Sequence, residues 1–120
     1  MSLSQSDFNL NLQVYIIHEN GSPLVAWDFP TLAAAQSYVD YFGAGRDLEI
    51  VHYVKVRDSK RGNVEAGRPV LWVCQEKLAD GSVRYVANPM TSKATADFWS
   101  NVVYGSTGRH RTKMLAKYVS

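Results

Sequence analysis

Two histidines lie where they could take part in chemistry. His18 and His52 each extend an apolar run that is typical of a strand. If those strands are neighbours, the imidazoles could begin a metal site, but a catalytic zinc site needs three protein ligands. The spacing of the carboxylates places no third ligand beside them. A small ligand-binding protein or enzyme that uses His18 and His52 is therefore one hypothesis, and strand-end histidines bonded to the backbone are the more ordinary interpretation.

Cys74, the single cysteine, lies in the most apolar run of the chain, so we expect a small buried hydrophobic side chain rather than a nucleophile. One cysteine excludes an intramolecular disulfide and favours a reducing, cytoplasmic setting. The sequence contains no P-loop, dinucleotide fingerprint, nucleophile elbow or metalloprotease helix. It therefore predicts no catalytic residue, metal or cofactor, and it favours a protein that is not an enzyme.

Eight basic residues fall into two segments of the sequence. The first segment holds Arg57, Lys60, Arg61 and Arg68, and the second holds Arg109, Arg111, Lys113 and Lys117. Cations beside aromatic rings such as Tyr53 and Tyr85 would suit phosphate contacts and base stacking. The net charge of +2 and the isoelectric point of 8.7 fall just short of a pI above about 9, which marks nucleic-acid-binding domains. Nucleic-acid binding is an alternative hypothesis, and two solvated segments that keep the protein soluble are the other interpretation.

Aromatic residues are frequent, with three tryptophans and seven tyrosines. We expect the tryptophans in the core, whereas Tyr38 and Tyr41 flank the buried face of a helix and one of them should be exposed. Exposed aromatic side chains are enriched at protein interfaces, and a free sheet edge invites pairing with a second copy. The leading hypothesis is a small interaction module. It would bind a protein partner, or itself, through a sheet edge or through an aromatic helix face that includes Tyr38 and Tyr41.

The first half of the chain is predicted to form a hairpin, a helix and a strand. Residues 10–18 alternate, Asn20-Gly21 is typical of a tight hairpin turn, and residues 24–27 return. Thr31 is expected to cap a helix that Gly43 and Gly45 end, with glycine in the left-handed conformation. The apolar residues of that helix recur at spacings of three and four and predict one buried face: Leu32, Ala35, Val39 and Phe42. A β-rich strand follows at 48–57.

The second half repeats this order after a polar segment, 58–68, that we expect to be an exposed mobile loop. Residues 70–74 suit a central strand, Asp80-Gly81 a second turn, and residues 83–87 a return strand. A helix should start near Ser92, and its predicted core face is Ala94, Phe98 and Val102. The segment from 110 to 119 fits either a helix, by its own periodicity, or a strand, by comparison with the first half; we predict a strand.

These elements predict an α+β fold, an antiparallel sheet packed with two helices. A shift of 60 residues places Asn20-Gly21-Ser22 on Asp80-Gly81-Ser82 and Thr31 on Thr91, so two strand–strand–helix–strand units (10–57 and 69–119) are expected. Convergent turn chemistry explains the matches as well as duplication does. Residues 1–9 are expected to be a flexible leader, left over in part from cloning, and residues 10–120 a single domain. The apolar runs are too short to cross a bilayer, so no membrane contact is expected.

Overall fold

A computed structural model describes residues 2–118, with every side chain among them except that of Ser106. Six strands form one antiparallel sheet in the order β2-β1-β3-β6-β4-β5. The strands are β1 (Phe8–Glu19), β2 (Ser22–Phe29), β3 (Leu48–Val56), β4 (Val70–Lys77), β5 (Val83–Tyr85) and β6 (His110–Lys117). The helices are α1 (Leu32–Phe42) and α2 (Lys93–Phe98), and a π-helical turn, Trp99–Val103, continues α2. The predicted α+β fold, a sheet with two helices, is confirmed.

The first turn and the first helix cap form where local signals in the sequence predicted them. Asn20 and Gly21 both have positive φ, 52° and 81°, as a two-residue hairpin turn requires. Thr31 caps α1, because its hydroxyl accepts a hydrogen bond from the Ala34 amide at 3.2 Å. Gly43 ends α1 with φ −82°, so the left-handed residue is Gly45, at φ +74°. A side chain at 43 would press against the carbonyl oxygen of Val39, which explains the glycine there.

The sheet curls around one apolar core on its inner face. Seven buried residues form that core: Val14, Ile16, Val51, Tyr53, Leu71, Val73 and Leu115. Val25 of β2 and Tyr85 of β5 pack against the same cluster, so the two edge strands approach each other across the curl. The hydrophobic effect over these buried side chains is the main stabilising term of the fold.

Both helices lie on the outer face. Tyr38 of α1 contacts Phe29, which pairs with Tyr15, and Ser100 in the π-turn bonds to Thr112 at 3.1 Å. The strand pairings place Tyr15 and Thr112 on one side of the sheet, because side chains alternate along each strand. A second apolar cluster fills the outer face between the helices and includes Leu3, Phe8, Val54, Val56, Met114 and Ala116.

The last described strand settled the ambiguous segment. Residues 110–117 form β6, which lies between β3 and β4 near the centre of the sheet, so the strand interpretation is confirmed. The helical periodicity there is a coincidence of spacing, because both sides of a central strand are covered and apolar residues need not alternate. Residue 119, which the prediction included, lies outside the described residues.

Two predicted helix faces were only partly right. On α1 only Ala35 is fully buried, while Leu32 and Phe42 are half-exposed. On α2 the predicted face is wrong, because Ala94, Phe98 and Val102 are exposed and the buried residues are Ala96 and Ser100. Ser100 bonds to Thr112, and the π-turn rotates the residues that follow away from α-helical spacing.

Two segments expected at the surface contribute to the outer cluster. Leu3 and Phe8 are buried in it, so part of the expected leader belongs to the core. The expected loop is exposed over most of its first half, as predicted, but it forms a 3₁₀ helix at Asp58–Asn63, after which partly buried Val64 packs against the outer cluster. Among residues 2–118, no helix combines the length and the apolar character needed to span a bilayer.

Candidate functional site

Five aromatic rings form a continuous cluster on α1 and β2, which we call the aromatic surface. Its members are Trp27, Phe29, Tyr38, Tyr41 and Phe42. Tyr38 is the centre, with ring centroids 5.1 Å from Trp27, 5.6 Å from Phe29 and 4.9 Å from Phe42. Tyr41 lies 4.7 Å from Phe42. The surface is therefore one patch built from two elements.

The local structure explains why these rings remain outside the core. Tyr38, Tyr41 and Phe42 are separated by three and four positions, so they share one side of α1. Phe42 lies seven positions, about two turns, after Ala35 and so on the same side of α1, but Ala35 is the only residue of that helix that is buried. Tyr41 is 81% exposed, and Trp27 and Phe42 are each 50% exposed. The prediction that Trp27 lies in the core is wrong, because it sits on an edge strand that only α1 covers.

The segment of the chain that builds β2 and α1 carries a negative formal charge. The first 45 residues contain no lysine or arginine but four carboxylates, so their formal charge is −4. These residues build β1, β2 and α1. Asp28 on β2 and Asp40 on α1 are both exposed, and Asp28 pairs with inner-face Ile16, so it points to the opposite side of β2 from Phe29. This asymmetry is visible in the sequence, but the predictions considered only the net charge and the two basic segments, not the acidic first 45 residues.

An ion pair marks the boundary of the aromatic surface. The Arg46 guanidinium donates hydrogen bonds from Nε and Nη2 to both carboxylate oxygens of Glu19, at 2.8 and 3.1 Å. This bidentate contact lowers the pKa of Glu19 and, together with the Tyr38 hydroxyl, raises the pKa of Arg46. Arg46 is thus paired within the protein, and Asp40 is the one carboxylate of α1, where it is exposed.

His18 and His52 do not form a common site. Residue 18 pairs with Glu49 across β1 and β3, and 49 and 52 differ by an odd number, so the two imidazoles lie on opposite faces. His18 Nε2 lies 2.8 Å from the Tyr53 hydroxyl on the inner face. His52 Nε2 lies 2.7 Å from the Gln13 side-chain oxygen, and its ring stacks on Tyr15. The hypothesis of a two-histidine site is therefore wrong in its geometry.

Stability should fall on mild acidification because of these histidines. The pKa of His18 and the pKa of His52 both lie below the usual 6.5, and desolvation by burial is the main cause for each. The unfolded chain then binds protons first, so the free energy of unfolding is expected to decrease as pH falls from 7.5 through about 6.5. Around His18, the Glu49 charge opposes this decrease and the Lys117 charge adds to it, while Tyr53 stays neutral.

The measurement is urea denaturation of wild type and His18→Gln at pH 7.5 and pH 5.5. We expect the variant to lose less stability between the two pH values than wild type does. Adding His52→Gln should flatten the dependence further. An equal loss in wild type and in the double variant would contradict the assignment of the pH dependence to these imidazoles.

Glu76 is the centre of a polar cluster that the sequence did not predict, in which Glu76 and His110 are buried and the two arginines are exposed. Arg84 Nε donates to its Oε1 at 2.7 Å, Arg109 approaches at 4.0 Å, and the Nε2 of buried His110 lies 3.2 Å from Oε2. The Arg84 hydrogen bond, above all, lowers the pKa of Glu76. Thr107 Oγ1 lies 2.8 Å from the other ring nitrogen of His110. Arg84 and Arg109 offset the charge of Glu76, and within the described residues no group of three or more metal-ligating side chains forms.

The two basic segments meet, and most of their charges have partners within the protein. Lys113 Nζ donates to Asp58 at 2.8 Å, which lowers the pKa of Asp58. Arg68 pairs with Glu65 and donates to the carbonyl oxygen of Lys117 at 2.7 Å. Each contact joins one segment to its own neighbours or to the other segment, and the two ion pairs reduce the charge that a phosphate would meet.

Three further cations are engaged in the same way. The Arg61 guanidinium lies over the Trp72 ring, 5.1 Å from its centroid. Arg57 Nε donates to the carbonyl of Ser6, and Arg111 Nη1 donates to the carbonyls of Gly108 and His110. Lys60 and Lys117 are exposed. Cys74 is fully buried in β4, with none of the exposure that a nucleophile needs.

Comparisons of the chain with protein-family models, with curated proteins and with solved structures gave no significant match. The function is therefore argued from the surfaces and cavities themselves.

Proposed function

We propose that this protein is an interaction module that binds another protein through the aromatic surface. The observation that carries the proposal is the exposure of Trp27, Tyr41 and Phe42 within one connected cluster of rings. Monomeric proteins seldom leave such a contiguous apolar patch in water, and tryptophan and tyrosine dominate the energetics of interfaces.

The shape of the edge strands favours the helix face over the sheet edge. Between the pairs Ile16↔Asp28 and His18↔Pro23, four residues of β2 oppose one residue of β1. This bulge breaks the straight edge that a second strand would need. The other edge strand, β5, has only three residues. Short and bulged edges are the usual protection against strand pairing, so we do not propose binding by sheet extension.

The charges favour a basic partner over a second copy. A symmetric dimer through the aromatic surface would bring together the β2 and α1 segments of the two copies, which contain carboxylates and no lysine or arginine, and this costs electrostatic energy. A partner segment with apolar anchors flanked by lysine or arginine would meet the rings with its anchors and the carboxylates with its cations. The proposed partner is therefore a protein with a basic amphipathic segment.

Two synthetic peptides test the proposal: an amphipathic helix of leucine and lysine, and the same peptide with glutamate in place of lysine. Titration calorimetry should show binding of the lysine peptide, weakened by added salt, and binding of the glutamate peptide at least about tenfold weaker. Phe42→Ala should weaken binding of the lysine peptide at least about tenfold, since central aromatic anchors carry most of the binding energy. Phe98→Ala is the matched control, because Phe98 is 54% exposed on α2 and lies outside the cluster.

Two results would overturn this proposal. One is equal binding of both peptides, or equal loss in Phe42→Ala and Phe98→Ala. The other is a dimer in sedimentation analysis that Phe42→Ala abolishes, which would make a second copy the occupant.

We also propose that the two halves derive from a duplicated unit. Each half runs strand–strand–helix–strand. The sheet order is symmetric about its centre, so that β3 corresponds to β6, β1 to β4, and the edge strand β2 to the edge strand β5. Superposition of 10–57 on 69–118 with those strands matched tests the proposal; unmatched helix positions would contradict it.

A further inference from the structure

A cleft of about 560 Å³ lies where the two edges of the curled sheet approach each other. Val25 of β2 forms one wall, the chain from Val86 to Ser92 forms the floor, and α2 with the π-turn forms the other wall. Its volume falls in the range of about 300–1,000 Å³ that small-molecule sites occupy. The cleft is separate from the aromatic surface, whose rings do not line it.

The π-turn gives this cleft an aromatic wall. The Tyr104 amide donates to the Trp99 carbonyl at 3.0 Å, a bond that spans five residues instead of four. In an α-helix with 3.6 residues per turn, residues five apart point in different directions, and the wider π-turn brings them together. The Trp99 and Tyr104 rings accordingly lie 5.9 Å apart and both line the cleft. Such turns are rare and often occur at functional sites.

The aromatic wall is held in place before any ligand arrives. The Tyr104 ring stacks on His110 with centroids 4.6 Å apart, and its hydroxyl lies 3.4 Å from the Val86 carbonyl oxygen. Backbone bonds in both directions between Met90 and Trp72, at 2.7 and 2.8 Å, fix the floor to β4. A preformed site loses little conformational entropy on binding.

The chemistry of the lining selects against charge. Every lining side chain is uncharged, in a chain where one residue in five is charged. Asn88, Thr91 and Thr95 bring an amide and two hydroxyls, which can bond to a polar group of a ligand. We infer that this cleft binds a small uncharged molecule with a planar ring, which stacks against Trp99 and Tyr104 and bonds to the polar residues of the lining.

Two fluorescent dyes that differ by one charged group test the inference. N-phenyl-1-naphthylamine is neutral, and anilinonaphthalene sulfonate carries the same rings with a sulfonate added. We expect saturable fluorescence enhancement with the neutral dye and at least about tenfold weaker binding of the sulfonate. Equal affinity for both dyes, or no binding of the neutral dye, would overturn the inference.

Matched variants locate the dye. Thr95→Trp places an indole in the cleft and should weaken binding of the neutral dye at least about tenfold. Ala94→Trp is one residue away and outside the lining, so it should leave dye binding unchanged. Asn88→Asp is a second variant, which keeps the test valid if Thr95→Trp disturbs the fold. It keeps the shape of an exposed side chain and adds a charge, so it should weaken binding of the neutral dye several-fold. Dye binding lost in Phe42→Ala but kept in Thr95→Trp would move the site to the aromatic surface and overturn the inference.

Discussion

Leu115→Ala is expected to lower the free energy of unfolding by about 2–5 kcal/mol, the largest effect that we predict for a single substitution. Leu115 has no solvent exposure and lies on β6, the strand between β3 and β4. Its side chain belongs to the inner core, which strands from both halves build. Truncation there leaves a cavity that the surrounding strands cannot close, because their hydrogen-bonded partners hold them on both sides.

Leu10→Ala is the matched control. Leu10 is 53% exposed, in a stretch of β1 where three residues, 10–12, find no partner between Asn9↔Lys55 and Gln13↔Val54. We expect a change within about 0.5 kcal/mol there. Urea denaturation measures both variants, with an unchanged slope and a lower midpoint for Leu115→Ala. Equal stability of the two variants would contradict the position of β6 at the centre of the fold.

Tyr53→Phe is expected to have the second largest effect, a loss of about 1–3 kcal/mol. Tyr53 is 1% exposed, and its hydroxyl lies 2.8 Å from His18 Nε2. The substitution leaves the aromatic ring in the core and removes only the hydroxyl, so buried His18 loses its partner. A buried polar atom without a partner costs more than the net value of the bond that is lost.

Tyr41→Phe is the matched control for that substitution, because Tyr41 is 81% exposed and its hydroxyl exchanges freely with water. It should change the free energy of unfolding by less than about 0.5 kcal/mol. Denaturation at pH 7.5 compares the two variants. A loss in Tyr41→Phe as large as that in Tyr53→Phe would show that the His18 contact contributes nothing specific.

The aromatic surface was half visible in the sequence. The helical spacing predicts that Tyr38 and Tyr41 flank an apolar stripe, and both belong to the cluster. Residue type and periodicity predict Trp27 and Phe42 in the core, where neither lies. Type and periodicity describe how apolar a position is, and they do not tell how much of a helix or edge strand the rest of the fold covers.

The cleft and the Glu76 cluster could not be predicted. Glu76 and His110 are separated by 34 positions and meet only because β4 pairs with β6 in this register. Trp99 and Tyr104 lie too far apart for an α-helix to bring their rings together, and no local signal announces a π-turn. Contacts of this kind depend on register and helix type, which the whole fold selects.

The sequence by itself determined the local elements: both hairpins, the Thr31 cap, the start of α2 near Ser92, the order of strands and helices, and an α+β fold. Turn and cap residues act on backbone a few positions away, so their effect can be read without knowing the fold. Only the tertiary structure decided the sheet order, the face that each histidine occupies, the exposure of Trp27 and the cleft beside Trp99. Those features arise where segments far apart in the chain come into contact. Which segments come into contact depends on hydrophobic burial, which is non-directional, and on the register of strand pairs, and neither can be read from a local stretch of sequence.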